Sequence, residues 1–195
     1  MSTKRWIAAA AVLWMSCGWS RADEPTTAAT PTPFARGTWN LGLSGSYVDN
    51  IRFSEDYFYN FNLTAGYYFW NNSSFNLDFQ GSWVTQPGGE DDALLGAVGL
   101  FGRTHFYVHN PWSLFIDGGG MVSYADNTVP ITPYHGTHFN FIGKVGGGAS
   151  WEIADHTFLM GGVRYFHLSN AQIHGRDQNP SFDGVQYWAG VMWTW

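Results

Sequence analysis

From Gly37 to Trp195 the chain reads as eight segments in which apolar and polar side chains alternate, each ended by a turn signal. The segments span 37–48, 57–70, 74–86, 93–108, 112–124, 138–152, 157–169 and 183–195. A period of two sends successive side chains to opposite faces of a strand. Segments of this length fit tilted strands that cross a bilayer. The breaks alternate in length: Asn71-Asn72-Ser73, His109-Asn110-Pro111 and 153–156 are tight, whereas 49–56, 87–92, 125–137 and 170–182 are long. Short periplasmic turns and longer external loops belong to outer-membrane barrels. The pattern predicts an all-β fold, an eight-stranded antiparallel transmembrane barrel over 37–195.

The segment before the strands has a different character. Lys4 and Arg5 precede an apolar stretch from Trp6 to Met15, and Ser20-Arg21-Ala22 supplies a small-x-small cleavage pattern. Residues 1–22 therefore read as a secretory signal peptide, too short in its apolar part to span as a helix. Residues 23–36, rich in Thr, Ala and Pro and without period, predict a disordered periplasmic leader. Cys17, the only cysteine, lies in the removed segment, and the residues before it fit a lipoprotein signal poorly, so the mature chain has no disulfide. Tyr187, Ala189, Val191, Trp193 and Trp195 alternate along the last segment and end on an aromatic, which resembles the signal read by the barrel-assembly machinery.

Composition sharpens the class. The chain is 18% aromatic and only 12% charged, with 24 Gly and 11 Trp, which suits short strands with aromatic belts at the edges of a lipid-facing wall. Beyond the signal peptide no apolar run is long enough for a spanning helix. The signal peptide holds three of the nine basic residues and none of the fifteen acidic ones, so six basic face fifteen acidic residues and the mature charge is −9. An acidic chain without a basic cluster excludes nucleic acid as a partner.

Candidate chemistry concentrates at the end of the seventh segment, Arg164-Tyr165-Phe166-His167-Leu168-Ser169-Asn170-Ala171. Arg164 is costly in lipid, so even positions face the polar interior and Val163, Tyr165, His167 and Ser169 face outward. In the eighth segment Val185, Tyr187, Ala189, Val191 and Trp193 form the apolar outward set, and Asp183 shares their parity. With a periplasmic N-terminus, His167, Ser169 and Asp183 converge on the outer wall near the external rim. A serine hydroxyl becomes nucleophilic when an imidazole takes its proton, and a carboxylate can orient that imidazole. Spacing alone leaves His167 and Ser169 roughly 6 to 7 Å apart at the backbone, so rotamers must close the contact.

The same residues carry a family resemblance. His167-Leu168-Ser169-Asn170-Ala171, then Asn179-Pro180 and an acid at Asp183, resembles the signature of PagL-type lipid A 3-O-deacylases over about the last 35 residues. The resemblance implies an outer-membrane barrel that hydrolyses an acyl ester of lipid A, the acyl-bearing anchor of lipopolysaccharide, without a cofactor. It gives His167 the role of base, Ser169 that of nucleophile, Asp183 that of triad acid and Asn170 that of oxyanion donor through its amide or backbone N–H. This chain departs in three places: Ser181 follows the Asn-Pro pair where many members have Gly, Gln172 replaces a common Gly, and the acid is Asp where the best-known member uses Glu. Asp177 is the alternative acid.

Other features read more plainly. Gly118-Gly119-Gly120 and Gly146-Gly147-Gly148 lack the strand-to-helix setting of a phosphate loop and predict curvature. His105, His109, His135, His138 and His156 show no spacing that predicts a metal site, His174 falls in a loop, and Glu90-Asp91-Asp92 reads as a solvated acidic loop. A non-catalytic barrel serving as adhesin, anchor or structural protein is the competing class, but it gives no reason for His167, Ser169 and Asp183 on a lipid wall. A palmitoyltransferase-like barrel does not account for the His-x-Ser-Asn motif. The expected partners are lipid A, outer-membrane lipid and the barrel-assembly machinery, and a homodimer is compatible with the pattern.

Overall fold

The computed structural model describes residues 32–51, 56–87, 91–130, 136–173, 175, 179 and 181–195. Its strands are β1 (Trp39–Asn50), β2 (Tyr57–Trp70), β3 (Ser73–Thr85), β4 (Ala93–His109), β5 (Trp112–Val129), β6 (Thr137–Ala154), β7 (Thr157–Ser169) and β8 (Phe182–Thr194). Sequence neighbours pair antiparallel and β1 closes on β8, giving the eight-stranded barrel that the alternation predicts. Among the described residues no helix is long and apolar enough to cross a membrane. A closed sheet satisfies its backbone groups across the strands, as a bilayer core requires.

Strand β3 shows why these residues form this wall. Ser74, Asn76, Asp78, Gln80 and Ser82 are buried inside, while Phe75, Leu77, Phe79 and Trp83 are exposed on the outside. Polar-in and apolar-out is the arrangement that lipid selects. Strand β5 is longer than its pattern predicts and continues past Tyr124, through an irregularity, to a pairing of Val129 with Thr137. Asp126 and Asn127 look like loop residues in sequence. However, Asp126 Oδ1 accepts the Leu94 N–H at 2.8 Å, and the Asn127 amide donates to Asp91 O at 3.0 Å, tying the extension to the start of β4.

The lumen is filled in layers. At mid-height Asp117 accepts from Arg103 Nη2 at 2.9 Å and from Arg164 Nη2 at 2.6 Å, all three side chains being buried. Beside them Asp78 accepts from Asn62 at 3.0 Å and Thr64 at 2.8 Å, and Lys144 Nζ donates to Gln80 Oε1. Towards the loop end an apolar cluster includes Val48, Phe58, Val84, Leu95, Leu168 and Phe182. The cavities around Arg103 and Arg164 measure about 20 and 10 Å³, room for one water at most. Replacing Asp117 by Ala leaves two buried guanidinium groups without their counter-charge. The expected loss is about 3–5 kcal/mol of stability, read as a lower urea midpoint for the refolded barrel.

Residues 1–31, which contain the expected signal peptide and most of the expected leader, lie outside the described residues. The end of that leader departs from the expectation of disorder, because residues 32–36 fold against the short-turn end of the barrel. Phe34 is 1% exposed and stacks on His105 with ring centroids 3.8 Å apart. The Asn72 N–H donates to Phe34 O at 2.7 Å, and the Arg36 N–H donates to Asn71 Oδ1 at 2.9 Å. A proline-rich segment carries no period, yet one aromatic side chain is enough to cap the apolar layer formed by Tyr68, Phe115, Phe158 and Met192.

Candidate active site

Strand β7 rises to the loop end with Arg164, Phe166 and Leu168 buried inside and Val163, Tyr165, His167 and Ser169 on the outer face. Strand β8 runs back beside it with Asp183 directly opposite His167. His167 Nδ1 lies 2.7 Å from Asp183 Oδ1, and His167 Nε2 lies 3.1 Å from Ser169 Oγ. The three predicted side chains therefore meet in one hydrogen-bonded line on the outer wall. With Nδ1 protonated towards the carboxylate, Nε2 is the acceptor for the serine proton. The His167 side chain is 37% exposed and that of Asp183 only 3%, so the carboxylate is shielded while the imidazole can be reached.

Asn170 organises the turn that follows. It is fully buried, its backbone N–H donates to Asn179 Oδ1 at 3.0 Å, and its own Oδ1 accepts the Gln172 N–H at 2.9 Å. Of the two donors expected at this residue, the backbone N–H is thus engaged with the Asn of the Asn-Pro pair. Ala171 and Gln172 have φ of 53° and 64°, a left-handed conformation that suits Gly, which makes Gln172 an unusual occupant of its position. Asp177, the alternative acid, and His174 lie outside the described residues.

The architecture has relatives among solved structures. Neisserial surface protein A superposes with a TM-score of 0.57 and 16% identity over 80% of this chain and 95% of its own. The outer membrane enzyme PagL does so at 0.57 and 15%, over 76% and 97%. The N-terminal β-barrel domain of Pseudomonas aeruginosa OprF gives 0.55 and 11%, over 82% and 98%. At these identities the likeness is one of fold. No curated protein sequence matches the chain. The family of PagL, lipid A 3-O-deacylase, matches residues 34–191. This chain belongs to the PagL family. It is a lipid A deacylase, a hydrolase built as an integral barrel of the outer membrane, with lipid A as its substrate.

Two features of this PagL-family wall depend on neighbouring strands and escape the sequence pattern. The Tyr165 hydroxyl donates to Asp183 Oδ1, the same oxygen that His167 engages. Its sequence signal is a phenol two positions before His167 on the outward face. The second feature is a shallow floor of backbone: Gly143 on β6 pairs with His167, and Gly120 on β5 pairs with Gly143. A Cβ at Gly143 meets nothing within 4 Å. Val145 and Val122 are exposed on the same wall.

Three other histidines have structural surroundings, and His135 lies outside the described residues. His105 is buried, with Nδ1 2.8 Å from Ser113 Oγ and Nε2 3.2 Å from the Tyr68 hydroxyl. His156 Nδ1 is 3.3 Å from Thr194 Oγ1, and His138 Nδ1 is 3.0 Å from Ala125 O. Among the described residues no three His, Cys, Asp or Glu side chains group as a metal site. Glycine at 146 allows close approach of β7, since a Cβ there falls 2.2 Å from Val163 O.

Proposed function

We propose that the chain is a serine esterase that removes the 3-position hydroxyacyl group of lipid A, with Ser169, His167 and Asp183 as its triad. The observation that carries this reading is the unbroken line from Asp183 Oδ1 through His167 to Ser169 Oγ on the wall that faces lipid. A carboxylate and an imidazole are costly on such a wall without a chemical use. A serine at the loop end, the external end of such a barrel, supports the reading because the acyl esters of lipid A lie in the outer leaflet.

In the first half-reaction His167 Nε2 takes the Ser169 proton while Oγ attacks the ester carbonyl. Asn170, held in place by Asn179, is the residue to which the family resemblance gives the role of meeting the tetrahedral oxyanion. Collapse breaks the ester C–O bond, His167 returns the proton to the sugar hydroxyl, and the acyl group stays on Ser169. Water then attacks the acyl-enzyme, giving up its proton to His167; collapse breaks the bond between the acyl carbon and Ser169 Oγ, His167 returns the proton to Oγ, and the hydroxy acid leaves. No redox group or metal enters this balance.

The backbone floor at Gly143 and Gly120 gives the acyl chain a place to lie beside His167. Gly143→Phe fills this floor without a backbone clash. Its expected effect is a loss of turnover of about tenfold or more, in line with the cost of misplacing a substrate by an ångström, with folding unchanged. The reading is tested by mass spectrometry of lipid A from a Gram-negative host expressing the chain, repeated on detergent-solubilised protein with purified lipid A. Loss of one 3-linked hydroxyacyl chain supports it. Loss of a different acyl chain overturns the positional part, and intact lipid A in both settings overturns the whole.

A further inference from the structure

We propose that Tyr165 is a positioning residue that holds the Asp183 carboxylate in place for His167, an inference that rests on the triad reading above. Asp183 lies on an outward position of a membrane wall, yet its side chain is 3% exposed. Oδ1 accepts from two directions, His167 Nδ1 and the Tyr165 hydroxyl. The register explains how both reach it. His167 is directly opposite Asp183, and Tyr165 pairs with Val185, one step diagonal on the same face. Diagonal neighbours of a sheet are within reach of an aromatic side chain.

The chemistry of a short acid makes the second donor useful. An aspartate has little length with which to follow the imidazole, and a carboxylate in a low-dielectric setting is held best by charge-assisted hydrogen bonds. With the phenol on one side of Oδ1 and the imidazole N–H on the other, the carboxylate keeps the lone pair that fixes the Nδ1–H tautomer. Tyr165 touches neither the serine nor the ester, so its effect reaches the reaction only through Asp183.

A tyrosine on this wall has a second reading, as an interfacial belt residue whose ring anchors the barrel in the membrane. Tyr187 supplies the comparison. It faces outward on β8, is 52% exposed against 43% for Tyr165, and sits four residues beyond Asp183, roughly 13 Å along the strand. A belt role predicts equal effects from removing either hydroxyl, whereas a positioning role predicts an effect at Tyr165 alone.

The test is a double-mutant cycle on detergent-solubilised full chain with purified lipid A, reading kcat and KM separately for wild type, Tyr165→Phe, Asp183→Ala and the double variant. Tyr187→Phe and Ser169→Ala are measured beside them, and folding is checked by heat-modifiable mobility. Tyr165→Phe is expected to lower kcat about ten- to hundredfold, the weight of a hydrogen bond to a charged group, with KM unchanged. In the Asp183→Ala background the same change is expected to alter kcat by less than about twofold. Equal losses in both backgrounds, an unchanged kcat, or an equal loss in Tyr187→Phe overturns the proposal. If Ser169→Ala keeps turning over, the triad reading itself fails; if it is inert while the cycle is additive, only the role of Tyr165 falls.

Discussion

Ser169→Ala is expected to assemble a normal barrel and to lose turnover by a factor of about 10⁴ to 10⁶, the range found when the nucleophile of a serine hydrolase is removed. Ser169 is the last residue of β7, and its hydroxyl has one described partner, His167 Nε2. The strand is secured by β6 and β8 along its length, so the missing oxygen has little influence on folding. The decisive measurement follows lipid A by mass spectrometry in strains that express wild type and variant to equal levels of folded protein. Deacylation by the Ala variant at more than about a hundredth of the wild-type rate assigns the nucleophile elsewhere. A labelled hydroxy acid retained on wild-type protein after acid quenching, and absent from the variant, identifies the acyl-enzyme directly.

The second large effect is expected at Asp183. Replacing the carboxylate by an amide offers His167 Nδ1 a donor as readily as an acceptor. The imidazole then adopts the tautomer with its proton on Nε2, where it cannot accept from Ser169. A fall in kcat of about 10⁴ follows from this inversion in serine hydrolases. Asp183→Glu keeps the acceptor and adds a methylene, so it is expected to lose far less. A full-rate Asp183→Asn enzyme makes another group the orienting acid, and Asp177→Asn is then the variant to compare. Stability moves differently from activity here, because Asn still fits the outer wall and the lumen is untouched.

The strands were legible because lipid outside and polar groups inside mark each residue twice. In β3 the alternation of Asn76, Asp78 and Gln80 with Leu77 and Phe79 fixes both the element and its facing. The facing of the candidate residues was legible for the same reason: Arg164 inside forces His167 and Ser169 outside, and the parity of β8 does the same for Asp183. What stayed hidden depends on partners across strands or far along the chain. Tyr165 and Gly143 gain their meaning from register, which no single strand encodes. Phe34 gains its meaning from stacking on His105, 71 residues away in sequence. Asn170 looked like a free-standing donor, but its backbone N–H is tied to Asn179 by a loop contact.

The filled lumen has a kinetic consequence. Among the described residues, Phe34 at one end, the Arg103–Asp117–Arg164 layer in the middle and the Phe58–Phe182 cluster at the other leave no aqueous conduit through the barrel to its outer wall. Substrate and product therefore arrive and leave sideways, by diffusion within the leaflet. The concentration that governs turnover is a mole fraction in a surface. Diluting lipid A with inert lipid at constant bulk concentration slows the enzyme, while changing the bulk volume at constant surface composition does not.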